Sequence, residues 1–183
     1  MCIYASLQPK KMRVVSAFIF DEGGCRYVQD LNFVPYFNRS SVSELMHELV
    51  RVAVERMDDM RKIYVHDPWQ VIAMRAADTK LVLVTDIEYP VQVAYELLSQ
   101  LCRAPELLNT VLENCQDPRT VSATYRVRQQ LGETLVIMHE NVDKVLGRGE
   151  NIAELVEKSE RLSASSKAFY KVARAHNTCC LIS

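Results

Sequence analysis

Residues 69–85 read WQVIAMRAADTKLVLVT, and the prediction for the first half of the 183-residue chain starts from them. Two apolar runs rich in β-branched residues, Trp69–Arg75 and Lys80–Thr85, flank the short connection AADT. Such runs separated by a few residues are typical of a β-hairpin. We therefore predict two antiparallel strands joined by these four residues.

More strands are predicted on either side of this hairpin. Apolar runs at Ile3–Leu7, Met12–Phe20, Cys25–Val28 and Lys62–Val65 have the length and composition of strands, and the turn signal DEGG follows the second of them. Clustered strands interrupted by few helices indicate an α+β fold. We expect a mostly antiparallel sheet with flanking helices.

Two helices are predicted beside this sheet. The pattern Ser41-x-x-Glu44 is a capping box that would open a helix running to about Arg56. Pro90 suits the first position of a second helix, and Pro105 breaks or restarts that helix.

The second half of the chain follows a different period. From residue 120 to about 177 it contains no Pro and no strand alternation, and positions alternately three and four apart form a heptad seam. These positions are Thr124, Val127, Leu131, Thr134, Met138, Asn141, Val145, Arg148, Ile152, Leu155, Ser159, Leu162, Ser166, Phe169, Ala173 and His176. A lone helix cannot bury such a seam, so we predict a long helix that is partly disordered or folded back until partners cover it.

Arg148 lies in the middle of this seam. A guanidinium has five N–H donors and no acceptor, so in a coiled-coil core its partners must supply oxygens, for which Gln side chains are suited. The alternative is a solvated surface arginine in a different register. That register would place Lys144, Gly147 and Gly149 in or beside the core, so we favour Arg148 as a core residue.

The C-terminus carries a lipidation signal. Cys180 is followed by two aliphatic residues and a final Ser, which fits the C-a-a-X motif and favours farnesyl. Cys179 is a candidate second lipid site, by palmitoylation or a second prenyl group, because one chain alone holds a protein only reversibly. An idle thiol is the alternative. Lys167, Lys171 and Arg174 either contact anionic headgroups or are solvated helix positions.

Composition argues against several other classes. The net charge of −1 lacks the excess of positive charge that is typical of nucleic-acid-binding proteins. The four His residues do not show the spacing of metal ligands. No apolar stretch approaches the roughly 18 residues of a membrane-spanning helix. A prenylated GTPase would need a phosphate-binding loop with its Lys, and none is present. A terminal thiol lacks the fixed base of a cysteine enzyme. We expect no enzyme activity, no metal and no cofactor beyond the covalent lipids.

The residues resemble a known family. Residues 141–155, NVDKVLGRGENIAEL, resemble the core of an R-SNARE motif of the synaptobrevin type. The segments KSE at 158–160 and SKAFYK at 166–171, with the double-Cys tail, are similar to the lipid-anchored longin branch of that family. Residues 37–42 and 86–94 are similar to its longin domain, which is profilin-like.

The resemblance implies a longin domain at 1–117, an R-SNARE motif at 118–178 and a lipidated tail at 179–183. It implies vesicle fusion, in which Arg148 forms the central ionic layer opposite one Gln from each of three Q-SNARE helices. The other implied bundle layers are Leu131, Met138, Val145, Ile152, Leu155, Leu162 and Phe169.

The resemblance also implies a location in the cytosol and on the cytoplasmic face of Golgi, vesicle and endosomal membranes, with a role in ER–Golgi transport and methylation of the processed tail. We further expect the SNARE motif to fold back on the longin domain and to cover the lipid. The alternative function is a longin-type trafficking adaptor that binds partners without fusing membranes. Such an adaptor would need neither the Arg-centred seam nor the lipid tail.

Overall fold

The computed structural model describes residues 12–57, 60–66, 69–130, 140–141 and 152–179. Its strands are β1 (Val14–Asp21), β2 (Gly24–Gln29), β3 (Arg61–His66), β4 (Trp69–Ala76), β5 (Thr79–Asp86) and β6 (Glu140–Asn141). Its helices are α1 (Arg39–Glu55), α2 (Val91–Arg103), α3 (Val111–Asn114), α4 (Pro118–Val121), α5 (Ala123–Gln130), α6 (Ile152–Lys158) and α7 (Ala164–Cys179), with 3-10 turns at Tyr36–Asn38 and Pro105–Thr110.

The strands form one sheet in the order β2-β1-β5-β4-β3-β6, and β1 to β5 pair antiparallel with their neighbours. The predicted α+β fold and the β4–β5 hairpin are confirmed. Pairing continues to Ala76 opposite Thr79, so the turn itself is only Ala77-Asp78. Ala77 has a φ of 52°, a left-handed conformation that is costly for a residue with a Cβ. The predicted strand Ile3–Leu7 lies outside the described residues.

The last strand comes from the heptad segment. Glu140 and Asn141 pair parallel with Tyr64 and Val65 of β3, at the edge of the sheet. The prediction that this segment is helical is therefore wrong at Asn141. The reason is physical: β3 offers unpaired backbone groups at a sheet edge, and a neighbouring extended segment satisfies them.

One face of the sheet packs against α2 and forms the α2-side core. Leu97, Leu98 and Leu101 of α2 are at most 1% exposed and lie on strand residues such as Ile72 and Leu83. In the part of the chain that the structure describes, all members of this core fall between residues 14 and 125.

The other face packs against α1 and forms the α1-side core. The sheet and α1 contribute buried residues including Phe18, Val42, Leu45, Met46, Val50, Val71, Val82 and Val84. The C-terminal segment contributes Ile152, Val156 and Leu162, which are all buried, and Leu155, Phe169 and Tyr170 pack against them in part. This core is therefore completed by residues far along the chain.

The capping box predicted at the start of α1 is wrong. The helix begins at Arg39, no side chain caps its first turn, and Ser41 is buried inside it. The 3-10 turn that precedes the helix, closed by the Asn38 N–H donating to the Pro35 carbonyl at 2.9 Å, leads directly into it. The helix therefore starts before Ser41, and the carboxylate of Glu44 is left available for other donors.

Candidate functional site

The C-terminal part of the described chain forms a helical hairpin against α1. We call α6, the linker 159–163 and α7 the C-terminal hairpin. Its two helices lie side by side, joined by an ion pair of 2.8 Å between Lys171 Nζ and Glu157. Lys167 Nζ also donates to the Glu157 carbonyl at 2.8 Å. Two of the basic residues considered for membrane contact thus bond within the hairpin.

The hairpin directs the apolar heptad seam towards the α1-side core. Ile152 is 3% and Leu162 is 7% exposed, and Leu155 and Phe169 are partly buried there. The seam differs in α5, where Val127 is half exposed. The remaining predicted layers Leu131, Met138 and Val145, together with Arg148, lie outside the described residues.

The linker between α6 and α7 is held by the carboxylate of Glu44. Glu44 Oε2 accepts the backbone N–H of Ser163 at 2.9 Å and the hydroxyl of Ser166 at 2.7 Å. The Ser163 N–H lowers the pKa of Glu44, and burial opposes this only in part. Glu44 is therefore a carboxylate acceptor at neutral pH. Sequence reasoning misses this contact because the two partners lie 119 positions apart.

A second carboxylate, Glu48, lies one turn further along α1. It is 5% exposed, and it accepts hydrogen bonds from Arg51 Nη2 at 2.7 Å and Arg51 Nε at 3.0 Å. These bonds are the main cause of its lowered pKa, and a hydrogen bond from the Ser159 side chain and the charge of Arg161 add to it. Because the pKa is lowered, Glu48 is ionised when it bonds to the linker. Two acidic side chains of α1 therefore face the beginning and the end of the linker.

Beside this contact lies a half-open cavity of about 440 Å³ between α1, β1, β2 and the linker. The ring of His47 stands edge-on to Phe18 at 5.0 Å and to Tyr27 at 4.3 Å between centroids. Burial lowers the pKa of His47, so the ring is neutral at pH 7. It therefore adds no positive charge to the face that carries Glu44 and Glu48.

The described residues give no further chemistry to this site. Across the described ranges, no group of three or more His, Cys, Asp and Glu side chains is arranged to hold a metal ion. No helix in the same ranges is both long and apolar enough to traverse a bilayer. Cys179 is the last residue of α7, and Cys180 lies outside the described residues.

Sequence comparison identifies the family. Residues 123–181 match the Synaptobrevin family model. The chain is 32% identical to "Synaptobrevin homolog YKT6" of Saccharomyces cerevisiae over 199 aligned positions, which cover 93% of this chain and 100% of that protein. The corresponding protein of Schizosaccharomyces pombe is 32% identical over 84% of this chain and 88% of its own. "VAMP-like protein YKT61" of Arabidopsis thaliana is 33% identical over 84% and 87%.

The alignments with these relatives cover 84% to 93% of this chain, so they include most of the sheet as well as the helical C-terminal region, whereas the family-model match covers residues 123–181. They agree with the antiparallel sheet flanked by helices and followed by a helical C-terminal region. The chain therefore belongs to the YKT6 family of synaptobrevin homologues, which are longin-type R-SNAREs of vesicle trafficking.

Proposed function

We propose that the heptad segment 118–178 zippers with three Q-SNARE helices and so drives membrane fusion. Arg148 forms the central ionic layer, where its N–H donors meet one Gln oxygen from each partner helix. The layers on either side are the apolar seam residues. Burying these side chains releases about 25 cal/mol of free energy for each Å² of apolar surface removed from water. This free energy drives the approach of the two membranes.

The longin domain, 1–117, regulates this reaction by holding the segment in a closed state. The burial of Ile152 and Leu162 in the α1-side core, with Phe169 partly buried beside them, supports this proposal. The same side chains are layers of the proposed bundle. Because one apolar face cannot lie in two cores at once, docking on α1 and zippering with Q-SNAREs exclude each other.

The tail, 179–183, anchors the protein to the membrane through a prenyl group on Cys180 and a second lipid on Cys179. Two chains give a stable attachment where one gives only a reversible one. In the closed state the folded-back segment covers the lipid, and the protein exchanges between the cytosol and the cytoplasmic face of Golgi, vesicle and endosomal membranes.

Reconstitution with a panel of Q-SNAREs tests the bundle. The full chain should form a co-purifying, SDS-resistant complex with at least one Q-SNARE set. Arg148→Leu should weaken that complex, because three Gln side chains would then be buried without their donor, at about 1–3 kcal/mol for each unsatisfied group. Arg126→Leu is the matched control, since Arg126 is an exposed arginine of α5 outside the seam. Absence of any complex across the panel would refute the proposal.

Membrane retention tests the anchor. Lipidated wild type should stay on liposomes through repeated dilution, whereas Cys179→Ser should dissociate and Cys180→Ser should not bind stably. Equal retention of wild type and Cys179→Ser would show that the second thiol carries no anchoring lipid.

A further inference from the structure

The C-terminal hairpin contains a break that its sequence does not force. Helix α6 ends at Lys158 and α7 begins at Ala164, so residues 159–163 interrupt the heptad seam. No Gly or Pro occurs between residues 152 and 179. Serine is the one residue type in the linker that favours helix ends over helix interiors, through hydrogen bonds to the backbone. Something outside the linker must therefore help to fix the break.

The start of α7 is half of a capping box. In a complete box, the side chain of the N-cap Ser accepts the N–H of the third helical residue, and a Glu at that third position accepts the N-cap N–H. Here Ser163 Oγ accepts the Ser166 N–H at 3.2 Å, which is the first half. The third helical position is Ser166 itself, whose short hydroxyl stands where the box needs a carboxylate.

The missing half is supplied by α1. Glu44 Oε2 accepts the Ser163 N–H at 2.9 Å, which is the bond that the Glu of a capping box makes. The same oxygen accepts the Ser166 hydroxyl at 2.7 Å, and Ser166 is fully buried at this contact. A carboxylate near the first turn is also favoured by the helix dipole.

We propose that Glu44, Ser163 and Ser166 form a capping box divided between the longin domain and the SNARE motif, and that this divided capping box fixes the helix break that keeps the motif in its closed form. The proposal rests on the proposed function, because residues 159–163 must become helical only if the motif zippers into a continuous helix. In a continuous helix the Ser163 N–H bonds to the carbonyl of residue 159. The same N–H cannot then serve Glu44.

Glu44 is thereby a positioning residue. It stabilises the state in which the Ser163 N–H donates to Glu44 over the state in which this N–H donates to the carbonyl of residue 159. The second carboxylate strengthens the choice at the other end of the linker, where Glu48 holds the Ser159 side chain. Ser159 N–H still closes the last turn of α6 by donating to the Leu155 carbonyl at 2.9 Å. The break is thus bounded on both sides by residues that α1 contacts.

Amide hydrogen exchange on the full chain tests the divided capping box directly. Glu44→Ala should raise exchange at the Ser163 and Ser166 amides by about tenfold, since a hydrogen bond to a charged acceptor is lost. Glu55→Ala is the matched control: Glu55 lies on the same helix, is exposed, and bonds Arg51 rather than the linker. Unchanged exchange at Ser163 in Glu44→Ala, with the fluorescence of the buried Trp69 showing an intact sheet, would overturn the proposal.

A double-mutant cycle separates the box from general destabilisation. If Glu44 and Ser166 act through their hydrogen bond, Glu44→Ala combined with Ser166→Ala should accelerate exchange at Ser163 less than the product of the two single effects. Fully multiplicative effects would contradict a shared box.

Assembly kinetics separate this proposal from the proposed function. With a Q-SNARE set that forms a complex, Glu44→Ala should assemble faster than wild type and Glu55→Ala, and should reach the same final complex. Equal rates would refute the divided capping box while leaving the R-SNARE function intact. If no Q-SNARE set binds, the proposed function fails, and the exchange measurement still decides whether the box exists.

Discussion

The two cores that enclose the sheet differ in where their residues come from. Among the described residues, the members of the α2-side core all fall between 14 and 125, and none of them belongs to the C-terminal hairpin. The α1-side core takes Ile152, Val156 and Leu162 from the hairpin and fixes the linker through Glu44. Within the described ranges, one face of the sheet is covered by α2 and its neighbours, whereas the cover of the other face includes the segment proposed to zipper.

This difference shows how one domain can be both stable and switchable. We expect the α2-side core to sustain the fold when the hairpin leaves, because none of its described members comes from the hairpin. Removing the hairpin should then cost only the contacts on the α1 side. Local opening can then have a much smaller free energy than global unfolding. Four measurements test whether the two cores are independent.

The largest effect is expected in the α2-side core. Leu98 is fully buried, so Leu98→Ala should lower the free energy of unfolding by about 2–5 kcal/mol through lost burial and a cavity. Urea unfolding followed by circular dichroism measures this value. Leu107→Ala, at a residue that is 43% exposed, should change it by less than about 0.5 kcal/mol. Similar losses in both variants would contradict the assigned core.

A smaller, local effect is expected in the α1-side core. Leu162→Ala should lower the free energy of hairpin opening by about 2 kcal/mol and leave the sheet largely unaffected. Hydrogen exchange resolved along the chain should show faster exchange in α6 and α7 with little change in β4 and β5. If β4 lost protection to the same extent as α7, the hairpin would be part of the global fold and not a detachable cover.

The next effect depends on pH. The Ser163 N–H of the docked hairpin lowers the pKa of Glu44 from its ordinary value of 4.5. The pKa of Glu48 is lowered mainly by Arg51 of α1 itself, and Ser159 and Arg161 of the hairpin add to this. Their contribution to docking is therefore fully present above about pH 4.5 and is lost as the pH falls through the lowered values. Opening of the hairpin, measured as exchange corrected for intrinsic rates, should increase in acid. The guanidinium groups of Arg51 and Arg161 face these carboxylates, and burial lowers the pKa of the neighbouring His47 below its usual range.

Glu44→Gln provides the control for this titration. It should dock more weakly than wild type at pH 7 and lose much of the acid dependence, because one of the two titrating carboxyls is gone. An identical pH profile in Glu44→Gln and wild type would assign the dependence to other groups.

The smallest effect is expected at the β4–β5 turn. Ala77 has a φ of 52°, so Ala77→Gly should raise the stability of the sheet by about 0.5 kcal/mol, since glycine adopts this conformation without the Cβ penalty. Thermal unfolding should show the gain, and hairpin exchange should not change. A loss of stability would mean that the entropy of the unfolded glycine chain outweighs the relieved strain.

Much of the sheet can be predicted from sequence. The strands β4 and β5 are predicted by two apolar runs joined by a short connection. The neighbouring strands are predicted by similar apolar runs, because a buried strand requires apolar residues within its own few positions. The turn is less predictable. Ala77 carries no glycine or asparagine signal for a left-handed residue, so the predicted loop is longer than the two residues observed.

The site is predictable only in part, for a physical reason. The seam residues Ile152 and Leu162 are apolar and are buried in whichever core they join, so the heptad pattern predicts their burial. Glu44 is different. Its spacing from Ser41 predicts a capping box in α1, whereas its carboxylate completes the box of α7. A capping pattern in the sequence indicates a carboxylate that can accept a backbone N–H. It does not identify the helix that donates this N–H.

The short strand β6 has a consequence for the open molecule. Glu140 and Asn141 occupy the outer edge of β3 opposite Tyr64 and Val65. In the proposed zippered state the heptad segment is helical, so those backbone N–H and C=O groups would lose their neighbour, and β3 would become an edge strand of the kind that templates association between chains. The proposed opening would therefore expose a sheet edge that can pair with another strand, as well as the heptad seam. Rapid capture of the open state by partner helices would limit such pairing.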